Sequence, residues 1–405
     1  MDMENEAGGT GENPVSRRLV FIFPGFEPMP VDAHARRFVR ESEKTAPIYG
    51  MTLAFKARDS ASAPAAGVTT ASLDAEASGD GWRTATEIVL YGLGDLDGLY
   101  SSRPAILRFF SGLWALCDFI VTGTLFRFIR TSWRYGLFFG YPLLISAVLA
   151  VISVLAAMQP ARWWGEEQLL WSIPLGIAVF VAGIHLANRY AHFLLIMDDW
   201  NFARDIARGR RQEIDRRLTL VARDVVERVG QTDADEIVFA AHSFGAVTAV
   251  RSLAAVIETQ VGREKPCGLL TVGSSLLKIA LHPAAASLRA AVGLIVRQRH
   301  AWLDVQSLTD PINFYKSSPA RDLGITDGRQ PLTMRVRFRS QLTAETYGSI
   351  RRDFFRTHRQ FVYAVERWHP YSFHAILLGP TSLEAVTCRG GLPDTFITPR
   401  EDVRP

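Results

Sequence analysis

The chain has 405 residues, 48% of them hydrophobic, with a net charge of +4 and a sequence pI of about 9.0. That length allows one large domain or two ordinary ones. Its three cysteines, Cys117, Cys267 and Cys388, lie too far apart for a disulfide framework or a zinc site, and they suit a reducing compartment. No zinc-finger or RNA-binding signature is present, so nucleic acid is not an expected partner. The arginines cluster beside apolar segments, and membrane lipids are the expected partner instead.

Residues 1–16 are acidic, glycine-rich and lack an apolar run. They are not a signal peptide, and disorder is expected there. Residues 19–23 predict a strand, residues 32–44 a helix and residues 51–55 a second strand. Residues 61–80 are small, polar and glycine-containing, which predicts a flexible loop. Residues 86–91 predict a third strand, ended by Gly92 and Gly94. Residues 106–129 are aromatic and apolar with scattered charges, among them Asp118, which predicts a helix at a membrane interface, with a third, partial span as the lesser alternative.

Two uncharged runs follow, residues 136–158 and 169–187. Each is about the 20 residues that a helix needs to cross a bilayer. The polar connection at 159–168 makes the pair a transmembrane hairpin. Arg127, Arg130 and Arg134 precede it, and Arg189, Arg204, Arg208, Arg210 and Arg211 follow it. Positive charge stays on the cytoplasmic side, so both ends of the hairpin and both termini are expected there. Paired acids such as Asp95/Asp97 and Asp198/Asp199 flank the insert and read as helix ends. Residues 202–229 predict one long amphipathic helix.

Residues 236–242 form an apolar run that stops at Ser243, and a helix-like segment follows. Small neighbours at Ala241 and Gly245 let a helix leave a strand on a tight turn. The segment Ala241-His242-Ser243-Phe244-Gly245 resembles the nucleophile elbow of the α/β-hydrolase superfamily, in particular its lipases and esterases. The family's first glycine is alanine here. The resemblance implies a serine nucleophile at Ser243 and an oxyanion donor at the Phe244 amide. It also implies a second donor after the first strand, where Phe23-Pro24-Gly25-Phe26 stands. Pro24 has no N–H, so Phe26 is the candidate.

Further strands are expected at 269–272, 302–307 and 334–338, with a helix near 284–297. The family order is serine, acid, histidine. Asp310 follows the strand at 302–307 within Leu308-Thr309-Asp310-Pro311 and is the candidate acid, with Asp304 second. His358, His369 and His374 follow the last strand. His358 is the first choice of base, expected to open a helix; His374 is the alternative, and His369 ranks below both.

The expected class is α/β: a mostly parallel sheet flanked by helices, α/β-hydrolase-like, interrupted by a helical membrane insert. Its expected parts are 17–100 and 201–395 for the hydrolase-like domain, 101–200 for the insert and 396–405 for a tail. The insert precedes the elbow, whereas family lids follow it, so an anchor is expected. The implied activity is cleavage of an ester or thioester in a lipid or small acylated substrate. The alternative is a non-catalytic membrane protein that binds a lipid or protein partner. No P-loop, dinucleotide fingerprint or His-Glu-x-x-His string occurs, and neither a cofactor nor a metal is expected.

Overall fold

Strand β1 (Arg17–Phe23) is apolar because both of its faces are covered. Leu19, Phe21 and Phe23 enter one core, and Val20 and Ile22 enter the other. That alternation is the two-residue repeat of a pleated strand lying between two layers. Strand β5 (Glu236–His242) does the same, with Ile237, Phe239 and Ala241 on one side and Val238 and Ala240 on the other. The computed structural model describes residues 14–58, 67–394 and 396. Residues 1–13, 61–66 and 397–405 of the segments expected to be unstructured lie outside that range.

Eight strands form one sheet in the order β2-β3-β4-β1-β5-β6-β7-β8. The others are β2 (Thr52–Arg58), β3 (Thr69–Gly79), β4 (Trp82–Gly92), β6 (Cys267–Val272), β7 (Ala301–Ser307) and β8 (Leu332–Val336). Strands β4, β1, β5, β6, β7 and β8 pair in parallel, and β3 pairs antiparallel with both β2 and β4. From β1 the chain builds one side of the sheet, and from β5 it builds the other. The boundary between β1 and β5 is therefore the switch point of the sheet, where loops diverge and leave a crevice.

Helix α1 (Val31–Thr45) covers one face. The other face carries α8 (Gln212–Gln231), α9 (Gly245–Thr259) and α11 (Ala286–Arg297), with α10 (Leu276–Ala280) at the sheet's carboxyl edge after β6. Between β4 and α8 lie α2 (Gly94–Ser101), α3 (Ala105–Val121), α4 (Thr124–Thr131), α5 (Trp133–Trp164), α6 (Leu169–Ala191) and α7 (Phe193–Arg208). Helices α5 and α6 are long and apolar enough to cross a membrane, with mean hydropathies of 2.3 and 1.9. They approach closely where Gly176 meets Ala157 and Gly183 meets Leu149.

Several expectations need correction. Residues 69–79 are not loop but the strand β3, whose hairpin with β4 closes at Gly81. The helix expected at 202–229 is two helices, broken at Gly209 (φ 60°). The segment 106–129 is likewise split at Gly123 (φ 70°). Both hairpin helices run beyond their expected ends, and the expected polar loop at 159–168 is mostly helical, with its break at Gly165. Residue 15 is not free chain either: Val15 is buried and its N–H donates to the Pro380 carbonyl.

Candidate active site

Strands β1, β5, β6, β7 and β8 run the same way, so the loops after them emerge on one edge. Ser243, Asp310 and the loop holding Gly25 and Phe26 all follow such strands, and His358 comes later behind β8. Ser243 is buried with φ 54°, a left-handed conformation that is costly for a residue with a Cβ. The turn is enforced by crowding. A Cβ on Gly245 would sit 2.0 Å from the Phe23 carbonyl oxygen, and one on Gly25 would sit 2.9 Å from the Cβ of Ser243. Ala241, where the resembled motif has glycine, is fully buried in the core.

His358 Nδ1 lies 2.7 Å from Asp310 Oδ2. Asp310 is anchored in turn: its Oδ1 accepts from the Ile312 N–H at 2.9 Å, and its carbonyl accepts from Asn313 Nδ2 at 2.6 Å. A carboxylate on Nδ1 requires a proton there, which leaves Nε2 of the neutral ring as the free base. His358 Nε2 is buried and has no hydrogen-bond partner among the described residues. His358 reaches the serine's surroundings at two points, one through its backbone and one through its ring. His242 Nε2 donates to the His358 carbonyl at 3.0 Å, and a Cβ on Gly273 would stand 3.2 Å from His358 Cε1. Burial, then the neighbouring His358, holds His242 neutral by depressing its pKa well below 6.5. His242 thus acts as a prop for His358 from beside the serine.

The Ser243 hydroxyl pairs with the Ser275 hydroxyl at 3.2 Å and makes no bond to His358. The Ser275 N–H donates to the Ser243 carbonyl at 3.1 Å. The amides of Phe26 and Phe244 donate to no backbone or side-chain acceptor among the described residues. Their rings lie 6.1 Å apart, and both pack on Phe202 of α7, at 4.8 and 5.1 Å. These three rings, with Leu93, Leu96 and Leu218, line a narrow apolar crevice beside the serine turn, with only about 20 Å³ of free space.

The structure sorts the other candidates. His358 ends the short helix Phe354–Arg359 rather than opening one. His374 is fully buried with both ring nitrogens unpartnered, 5.3 Å from the Phe38 ring, and burial lowers its pKa to about 3. His369 serves a turn, accepting from the Tyr371 N–H at 3.0 Å. Asp304 points into the sheet and accepts from Thr271 and Gln306. No group of three or more His, Cys, Asp or Glu side chains suited to a metal occurs among the described residues.

Sequence reasoning missed a buried ion pair next to the site. Lys278 of α10 is buried, and its Nζ donates to Asp199 of α7. The ammonium also sits 3.8 Å over the Trp200 ring and 5.0 Å from the centroid of Phe244. One lysine inside Leu276-Leu277-Lys278-Ile279-Ala280 was the available signal. The acid pairs are therefore not simple helix ends. Asp198 meets Arg108 at 2.6 Å, and Asp97 is fully buried with neither oxygen hydrogen-bonded. The insert is also more than an anchor. Ser132 Oγ and Arg134 donate to the carbonyls of Tyr315 and Leu308, which tie it to the loop bearing Asp310.

Removing one partner of a buried pair leaves an unpaired charge, at about 3–5 kcal/mol. Asp199→Asn is expected to lower the unfolding temperature in detergent, and adding Lys278→Met is expected to restore much of the loss. Asp97 behaves oppositely. Burial, then Asp198, raises its pKa from 3.8 to about 6. The folded chain thus binds more protons than the unfolded chain across that window, so Asp97 subtracts stability as pH rises through it. Asp97→Asn is expected to stabilise by about 1–3 kcal/mol at neutral pH. Thermal unfolding against pH should show the gain shrinking as pH falls towards 4.

Comparison with family models, with curated proteins and with solved structures gave no match to this chain.

Proposed function

We propose that the chain is a membrane-anchored serine hydrolase of α/β-hydrolase type that cleaves an ester or thioester of a lipid or other acylated substrate. The observation that carries this reading is the His358–Asp310 bond of 2.7 Å, with the free ring nitrogen buried beside a left-handed serine turn. The sheet order and the chain order serine, acid, histidine support it.

In the proposed reaction the Ser243 hydroxyl turns from Ser275 toward His358 Nε2 and attacks the acyl carbonyl. Its proton passes to Nε2, and Asp310 stabilises the imidazolium that forms. The amides of Phe26 and Phe244 receive the developing oxyanion. The C–O or C–S bond breaks as Nε2 returns the proton to the leaving group. Water, deprotonated by the same nitrogen, then frees the acid and Ser243. The crevice lined by Phe26, Phe202 and Phe244 is narrow and would have to widen around a substrate, but its apolar lining suits an acyl chain better than a charged group.

A fluorophosphonate probe tests the chemistry. Wild type is expected to label, and Ser243→Ala is expected to lose the label while remaining folded. Asp310→Asn should slow labelling by up to about 10⁴-fold, the size that a wrong histidine tautomer costs a serine protease. A folded wild type that does not label would favour the second reading, a hydrolase-like domain that only binds its partner. The Ser243–Ser275 pairing is what speaks for that alternative.

The proposed orientation puts the site and both termini on the cytoplasmic side, from the arginines flanking the hairpin. C-terminal fusions in a bacterial host test it. Green fluorescent protein should fluoresce and alkaline phosphatase should stay silent; the reverse pattern would move Ser243 to the opposite side.

A further inference from the structure

Helix α3 is apolar on both sides. Its inner face, with Phe109, Gly112, Leu116 and Phe119, packs along α7, so closely that a Cβ on Gly112 would sit 2.5 Å from the Cβ of Met197. Its outer face presents Ile106, Leu107, Phe110, Trp114, Ile120 and Val121, all exposed, Val121 at 85%. Those positions recur at helical spacing and carry no charge. The helix does have two charged residues, and both are spent in ion pairs with α7. Arg108 pairs with Asp198 at 2.6 Å, and Asp118 accepts from Arg208 at 2.5 Å. Helix α4 continues the surface with exposed Phe126 and Ile129. An apolar face of this extent does not stay in water on a monomeric surface.

Its position in the chain indicates what covers it. Helix α4 ends at Thr131, and α5 begins two residues later at exposed Trp133. The hairpin has exposed aromatics at both ends: Trp133 and Tyr190 at one, and Trp163, Trp164 and Trp171 at the other. From Trp133 to Trp163 a helix rises roughly 45 Å, the thickness of a bilayer with its headgroups. Trp133 thus marks an interface, and α3 and α4 join the hairpin at that level. Helices α2 and α3 are together long and apolar enough for a span, but they are bent by 106° at their break. Helix α3 lies against α7, which is tied to the body through Asp199, Trp200 and Phe202.

We infer that α3 and α4 form a shelf lying along the headgroup–acyl boundary of the same bilayer that the hairpin crosses, with lipid as the occupant of their outer face. The inference rests on the hairpin's being transmembrane and not on the hydrolase chemistry. Helix α7 packs against the membrane-facing α3 and, through Phe202, against the aromatic rings of Phe26 and Phe244.

Cys117 lies exposed on α3, and Cys388 is the other exposed thiol. In Cys388→Ser protein, an environment-sensitive fluorophore on Cys117 reports depth after reconstitution into phosphatidylcholine vesicles. As a control, Cys117→Ser/Cys388→Ser/Ile152→Cys places the fluorophore in the middle of α5. A shelf about 5–10 Å deep predicts Cys117 emission quenched about twofold more by a nitroxide near the headgroup than by one near the chain end. Position 152 should show the opposite preference. If iodide in the water quenches Cys117 while position 152 remains lipid-quenched, the shelf is wrong and the hairpin stands. If Cys117 prefers the deep nitroxide, α3 is a third span and the shelf is again wrong. If both positions are quenched by iodide, the transmembrane reading fails and the shelf falls with it.

Discussion

The approach of α9 to the end of β1 is the constraint on which the site depends. Only a residue without a side chain fits at 245, because the Phe23 carbonyl oxygen occupies the place where a Cβ would be. The start of α9 is thereby held against the neighbouring strand, and the loop after β1 must pass over the serine turn. Gly25 passes so near Ser243 that it too has no room for a Cβ without movement. Two loops that diverge at the switch point are thus locked together. Phe26 and Phe244 line the same crevice for a steric reason that precedes any chemistry.

The parts legible in the sequence are those whose signal is local. Strands β1, β5, β6 and β7 are covered on both faces, so they appear as short apolar runs between polar breaks. The serine turn announces itself through small neighbours, and Asp310 through the proline that follows it. Strand β3 gave no such signal. Its sequence, Thr69 to Gly79, is small and polar, because it pairs in a hairpin near the sheet edge and buries only part of one face. The break between α7 and α8 turns on Gly209 and its positive φ, which a continuing amphipathic pattern concealed. His358 is preferred among three histidines from its place behind the last strand, whereas its bond to Asp310, 48 residues away, cannot be read from spacing.

Buried charge was the least legible property of all. Asp199 and Lys278 are 79 residues apart, and Arg108 and Asp198 are 90 apart. Each residue alone resembles an ordinary solvated charge at a helix end. Brought together, Asp199 and Lys278 become a fixed point between the insert and the body, and Arg108 and Asp198 one within the insert. A buried pair gains little over a well-packed apolar contact, but it penalises misalignment, since a shifted helix leaves a bare charge in the interior. Helix α7 is therefore held in register with α10 by something stricter than apolar packing, and α10 begins next to Ser275, which holds the Ser243 carbonyl.

That register connects the apolar hairpin to the candidate site. One residue, His192 with φ 50°, separates α6 from α7. A hairpin fixed in a bilayer thus fixes α7, and α7 sets the Phe202 ring against both Phe26 and Phe244. On the proposed reading, those two residues carry the oxyanion donors and wall the acyl cleft. The insert would then act on chemistry through packing as well as by anchorage. Displacing α7 would have to break the Asp199–Lys278 pair and unstack Phe202 together. A lid that opened freely into water would not be built this way.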